Sequence, residues 1–371
     1  MSARVLVVTG TRAEFGLLEP VMRAVDARAE LDLRVAVAGA HLLAPARTID
    51  EVRRRVRVDA VAPMQEEGRV GRVADARALG RGVAGFAEAI ERIDPAWVVV
   101  LGDRIEAFAA AAAASVAGVP VAHLHGGDRA EGVADEAMRH AITKLAHLHL
   151  PATRTSAERI VRMGEPEERV VVVGSPAIDA LASVAPMDDE AYAGCGSPDA
   201  VFLMHPIGRE DERERAAAGA VLSALSGRRV LALHPNHDPG RSGVIAAIRE
   251  AGVLESQHLA RERFLALLKR LAVSGGLLVG NSSAGLIEAA AIGLRVVDVG
   301  DRQGGRERAT NAVHADESSE SVAAAIDRAS SLRPDPADHP YGDGRAGERA
   351  ADAIASREGE RTSLVRKRNA Y

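Results

Sequence analysis

Short runs of branched apolar residues recur along this chain, and each is closed by a polar or glycine-bearing turn. Residues 4–8, 31–38, 96–101, 119–124, 148–152 and 170–173 read as strands, and a second series follows at 201–204, 230–233, 277–279 and 296–299. Helical patterns lie between them at 15–27, 48–56, 82–93, 105–117 and 154–163, then at 211–225, 242–251, 261–273 and 284–292. Strands that are apolar on both faces must be covered on both faces, and crossover helices do this in a doubly wound parallel sheet. The fold class expected is therefore α/β. Residues 64–80 and 336–346 read as loops, and 347–356 as a helix before a basic tail.

At 371 residues the chain exceeds what one hydrophobic core usually serves, so two domains are expected. Pro186, Gly194, Gly196 and Pro198 mark 184–199 as the linker, which sets the domains at 1–183 and 184–346. Aromatic residues make up only 2%, so packing must rely on Ala, Val, Leu and Ile. The same scarcity argues against a stacking platform for single-stranded nucleic acid. A net charge of −5 gives no electrostatic case for DNA or an anionic membrane. The longest apolar run, 107–119, is too short to span a bilayer. The N-terminus enters a strand directly, without a signal-peptide pattern, so a cytoplasmic protein is expected. The lone Cys195, in a glycine-flanked loop, excludes a disulfide framework and a thiolate metal site.

Ionisable groups crowd residues 123–149. His123, His125, Asp128, Glu131, Asp135, Glu136, Arg139 and His140 follow a strand end through the Gly126-Gly127 turn into a helix. Asp135 with Arg139, and Glu136 with His140, are four apart and share a helix face. Met138, Ile142 and Leu145 form the opposing apolar stripe. A solvated face with two local ion pairs would account for a bare helix. A charged helix fed from a strand end is instead where open α/β sheets bind ligands. His123 and His125 alternate, so on a strand they point to opposite faces and cannot share a metal, and none is expected.

The second series carries its own strand-end groups. Gly280-Asn281-Ser282-Ser283-Ala284-Gly285-Leu286-Ile287-Glu288 joins a strand to a helix. Ser282 and Ser283 suit an anion pocket or plain N-capping. Glu288 lies one turn on, placed to hold ribose hydroxyls, and Arg302 can clamp a diphosphate. His205, His234 and Asn236 end two further strands. No G-x-G-x-x-G directly follows a strand run, the matches at 80–85 and 342–347 lying after loops, which argues against a dinucleotide cofactor. Arg12, Asp103 and Arg104 form the rim of the first domain.

The motifs Thr-Gly-Thr-Arg-Ala-Glu-Phe-Gly at 9–16, Gly-Asp-Arg at 102–104, Gly-Gly-Asp at 126–128, Asp-Glu-Ala-Met-Arg-His-Ala-Ile-Thr-Lys-Leu at 135–145, Gly-Ser-Pro at 174–176, Gly-Asn-Ser-Ser-Ala-Gly at 280–285 and Asp-Arg-Gln-Gly-Gly-Arg-Glu at 301–307 span nearly the whole chain. In this order they resemble the hydrolysing UDP-N-acetylglucosamine 2-epimerases. The resemblance implies a GT-B-like fold of two Rossmann-like domains facing a cleft, with a C-terminal helix at about 347–371 returning to the first. It implies hydrolysis of a UDP-sugar with inversion at C2, through loss of UDP to a glycal and then hydration. No cofactor is implied, and a homodimer or homotetramer is.

Carried over by position, Asp103 and Asp135 are the leading acid/base candidates, with His125, Asp128, Glu131 and Arg139 beside them. His205 matches an active-site histidine near the leaving group. Arg12, Ser282, Ser283 and Arg302 match diphosphate contacts, Glu288 a ribose contact, and Asn236 a place near the uracil or the diphosphate, with Arg104, His234, Asn281 and Gly285 as further UDP-binding candidates. The chain has His125 where many members have Glu, so Asp128, Glu131 or His125 itself must take that part. It also has Asp128 in place of Glu, and Ile287 where Arg is frequent. These departures leave open a 2,4-diacetamido-trideoxy sugar carried on UDP or GDP. A GT-B glycosyltransferase, or a nucleotide-sugar binding protein without turnover, are the readings from other classes.

Overall fold

The computed structural model describes residues 2–44, 47–69, 71–130, 135–236, 238–257 and 259–370. The chain divides into two compact units, Met1–Asp128 with Ala134–Asp179 and Gly342–Tyr371, and Arg129–Val133 with Ala180–Tyr341. Each is built on a six-stranded, wholly parallel sheet, so the architecture is α/β with two Rossmann-like units, as in GT-B-like folds.

In unit 1 the strands are β1 (Ala3–Thr9), β2 (Leu31–Ala38), β3 (Ala60–Ala62), β4 (Trp97–Leu101), β5 (Val121–Leu124) and β6 (Leu148–Leu150). Their order is β3-β2-β1-β4-β5-β6. Alternate residues feed two cores. Val5, Val7, Val35, Val37, Trp97 and Val99 pack against the helices Arg12–Asp26 and Ala346–Ala355. Leu6, Val8, Ala36, Val98 and Val100 pack against Arg72–Ile93 and Ile105–Val116. The second helix pair meets the sheet largely through alanines, which substitute for the missing aromatics.

Unit 2 repeats the plan with β7 (Ala200–Leu203), β8 (Val230–Leu233), β9 (Leu254–Ser256), β10 (Leu277–Gly280), β11 (Arg295–Val299) and β12 (Ala312–Ala315). The order is β12-β11-β10-β7-β8-β9. In both sheets the chain starts at a central strand and later returns to its other side. The switch points therefore fall between β1 and β4, and between β7 and β10.

Several local expectations are corrected. Helix Arg72–Ile93 takes in much of the expected 64–80 loop. Its Gly82 is small because Met64 lies against it, with Cε 2.5 Å from where a Cβ would be. Residues 170–173 make only an isolated bridge from Val170 to His149, not a strand. The expected linker is folded: Asp188 caps the helix Asp189–Ala193, and Met187, Tyr192 and Cys195 are buried in a unit 2 core. The single helix expected at 284–292 is two short ones, Ser283–Leu286 and Glu288–Ile292, broken at Ile287. No helix among the described residues is long and apolar enough to cross a membrane.

Candidate functional site

In unit 2 the polar residues gather where β7 and β10 end. Gly280 closes β10 at φ +144°, and a Cβ there would stand 2.0 Å from the Leu203 carbonyl oxygen, so glycine alone lets the two strand ends lie this close. Asn281, 1% exposed, spans the gap. Its Oδ1 accepts from the His205 backbone N–H at 2.7 Å, and its Nδ2 donates to the His205 carbonyl at 2.9 Å. The carbonyl of Asn281 itself accepts from Arg302 and from Gln303 Nε2, each at 3.0 Å. One asparagine thus ties together three strand-end loops.

His205 is buried, and its Nδ1 accepts the Asn236 backbone N–H at 3.2 Å. That contact leaves the ring proton of the neutral form on Nε2. Burial, with a smaller push from Arg302, lowers His205 to about 3, so it is neutral near pH 7. Ser282 caps the short helix through the Ala284 N–H at 3.4 Å, and Ser283 opens that helix. With only four residues in that helix, little of the expected dipole is available to an anion. Gly285 permits the helix to approach β11, where a Cβ would lie 3.0 Å from Val296 Cγ1. Glu288 is buried and ion-paired with Arg261 at 3.1 Å. His234 binds Glu255 at 2.9 Å, and Asn236 is exposed.

In unit 1, Asp103 follows β4 and pairs with Arg139 of the helix Asp135–Leu145. Arg139 is 2% exposed, and it also meets Glu136 at 2.6 Å and the Asp128 carbonyl at 3.1 Å. Glu136 in turn bonds His140 at 3.2 Å, while Ile142 and Leu145 face the core. The Glu136–His140 pair therefore lies as the helical spacing indicates. Asp135 opens the helix, but its side chain and all of Glu131 lie outside the described residues. Arg104 stands 3.4 Å from the buried Glu106, and Arg12 pairs with Glu51 at 3.0 Å.

The alternation assumed for His123 and His125 does not hold. β5 stops at Leu124, and His125 adopts φ +59°, a conformation uncommon outside glycine. His123 bonds the Gly102 carbonyl at 2.8 Å, and burial pushes it down to about 3. His125 Nδ1 lies 2.9 Å from Asp128 Oδ2, and its Nε2 lies 3.0 Å from Ser175 Oγ. Asp128 Oδ1 accepts from Ser156 Oγ at 2.8 Å. Asp103, His125, Asp128 and Arg139 thus come together in unit 1. His205, Asn236, Asn281 and Arg302 do so in unit 2. Ser175 and Ser156 were missed; the only signal was the Gly-Ser-Pro motif, whose serine carried no assigned role. Among the described residues, no three His, Cys, Asp or Glu side chains are placed to hold a metal ion.

Residues 23–355 match the family described as UDP-N-acetylglucosamine 2-epimerase. A Legionella pneumophila protein named UDP-N,N'-diacetylbacillosamine 2-epimerase (hydrolyzing) is 34% identical over 364 residues, covering 94% of each chain. A UDP-N-acetylglucosamine 2-epimerase of Neisseria meningitidis serogroup B is 32% identical, covering 95% of this chain and 94% of its own. Among solved structures, the Neisseria meningitidis UDP-GlcNAc 2-epimerase bound to UDP-GlcNAc superposes with a TM-score of 0.78 at 17% identity, over 93% of this chain and 97% of that one. The fold is therefore shared even where little sequence is.

Proposed function

We infer the reaction from one premise: the chain belongs to the UDP-N-acetylglucosamine 2-epimerase family. We propose that it hydrolyses a UDP-activated 2-acetamido sugar with inversion at C2, so that UDP-N-acetylglucosamine and water give N-acetylmannosamine and UDP. The observation that carries the hydrolysing assignment is the 94% mutual coverage with a relative whose name states that chemistry.

In this reading a base removes the C2 proton. The electrons form the C1–C2 double bond as the C1–O bond breaks toward the diphosphate. Water then adds to the glycal, its oxygen at C1 and a proton at C2 on the opposite face. Asp103 and Asp135 are the proton-transfer groups, and Arg139 holds Asp103 in one orientation. Charge grows on the departing diphosphate, and Arg302 with the Asn281–Ser283 loop answers it. Neutral His205 has its proton on Nε2, so it can donate to the leaving oxygen.

The same chemistry on a 2,4-diacetamido-trideoxy sugar is the second reading, favoured by the name of the 34% identical Legionella pneumophila relative. A panel of UDP- and GDP-sugars in deuterated water, scored for free nucleotide and for product, separates the cases. Free UDP without any acceptor and a C2-deuterated 2-epimer is the expected result. UDP release only with an acceptor, a product that keeps its C2 proton, or epimerised UDP-sugar without free UDP would each overturn the reading.

A further inference from the structure

His125 stands where an acid or base is expected, yet neither ring nitrogen is open. Nδ1 faces Asp128 Oδ2 at 2.9 Å, Nε2 faces Ser175 Oγ at 3.0 Å, and the residue is 7% exposed. A carboxylate only accepts, so the ring proton sits on Nδ1, and Nε2 receives the Ser175 hydroxyl. Ser175, fully buried, accepts the Ala177 N–H at 3.3 Å. Donors and acceptors match at each step with a neutral ring. A proton on Nε2 as well would meet the Ser175 oxygen and oblige that hydroxyl to turn its own hydrogen elsewhere.

The chain of contacts leads on to the acid/base group. Asp128 is gripped on one oxygen by His125 and on the other by Ser156, and its carbonyl receives Arg139 at 3.1 Å. Arg139 pairs with Asp103. The turn itself is wedged in place: Gly127 has φ +74°, and a Cβ there would stand 2.2 Å from the Ser156 carbonyl. His125 pays for its own φ of +59° with these two hydrogen bonds, and strain of this kind persists only where the surroundings impose it.

We propose that His125 and Ser175 are positioning residues which fix Asp128, so that its carbonyl aims Arg139 at Asp103. The proposal rests on the epimerase reading for its kinetic test but not for its spectroscopic one. Asparagine tolerates positive φ and can keep the Asp128 contact, but it does not titrate. His125→Asn should therefore lower kcat only about three- to tenfold, the scale of one or two buried hydrogen bonds, with KM within about twofold. Both limbs of the pH–rate profile should stay where they are. Loss of about a thousandfold, or of one limb, in a variant that keeps native Trp97 fluorescence would identify a reacting acid or base and overturn the proposal.

Should His125→Asn not fold, Ser175→Ala carries the same kinetic test, with the same modest loss and unmoved limbs. Independently of turnover, ¹⁵N shifts of histidine-labelled wild-type protein should show His125 protonated on Nδ1 and bare on Nε2. Ser175→Ala should move the Nε2 resonance and leave Nδ1. The opposite tautomer overturns the proposal. A wild-type enzyme that turns over no sugar overturns the epimerase reading alone, since the tautomer is read without substrate.

Discussion

Replacing Asn281 by alanine tests whether the strand-end clip holds unit 2 together. The variant removes both partners of the His205 backbone, bonded at 2.7 and 2.9 Å from a side chain that is 1% exposed. A buried backbone group left unpaired costs about 1–3 kcal/mol, so the pair together costs roughly 2–4 kcal/mol once partial hydration is allowed. In local-opening terms, that is roughly thirty- to several-hundred-fold faster amide exchange at His205. Hydrogen exchange followed by mass spectrometry on peptides covering 200–206 and 277–286 measures it directly. UDP affinity should fall with it, because Arg302 and Gln303 anchor on the carbonyl of the same residue. Exchange at His205 within about threefold of wild type would show that the clip adds nothing beyond ordinary loop order.

Acid should weaken the fold well before the carboxylates titrate. Burial lowers His41 and His147 to about 4, and His123 and His205 to about 3, from an ordinary 6.5. Between these values the unfolded chain takes up the protons, so this stability is complete above 6.5 and is lost as pH falls. At pH 5 each histidine has given up about 2 kcal/mol. Glu14, raised to about 8 by burial, works the other way and returns about 2–3 kcal/mol between pH 7 and 5. A net loss of several kcal/mol in urea unfolding from pH 7 to 5 is expected, and equal stability at the two would refute it. Gly280→Ala should cost more than about 3 kcal/mol, given φ +144° and the 2.0 Å approach to the Leu203 carbonyl; a melting temperature within a few degrees of wild type would contradict this.

The central strands were legible because their runs are apolar throughout; Trp97–Leu101 is buried at every position. The edge strands β9 and β12 were not, because half-exposed Leu-Glu-Ser and Ala-Val-His-Ala carry no such run. Glycines misled at 64–80, where Gly68, Gly71 and Gly80 suggested a loop, whereas the helix starts at Arg72 and packs against Met64. Candidate groups were legible as strand-end positions, but their partners were not. Arg139 meets Asp103 from a distant segment, Glu288 is taken by Arg261, and Arg12 by Glu51. Such pairings depend on which helix faces which, and local spacing does not encode that. The positive φ of His125 was equally hidden, since histidine, though enriched there, still sits mostly at negative φ and tertiary contacts select the exception.

The two switch points, alike in topology, differ in what bridges the strand ends, and this decides which unit should receive the diphosphate. In unit 1 the turn after β1 offers the Gly10 and Thr11 N–H groups that a phosphate would need. Both are spent on Glu14 Oε2, at 2.6 and 3.3 Å, from the first turn of the helix that follows. The buried Glu106 closes the other side, with Cγ 2.5 Å from where a Gly10 Cβ would be. An anion there would displace one carboxyl and face another. In unit 2 the buried Glu214 likewise takes backbone N–H groups, those of Ile207 and Arg209 at 2.9 and 3.1 Å, but they lie beyond the strand end and the carboxylate is paired with Arg209 at 3.0 Å. An uncharged asparagine makes the crossing, and His205, Ser282, Ser283 and Arg302 surround it. UDP should therefore slow amide exchange in peptides covering 203–206 and 280–285 and leave Gly10 and Thr11 unchanged. Protection at Gly10 and Thr11 instead would mean that Glu14 yields to the phosphate, and the assignment of the leaving group to unit 2 would fail.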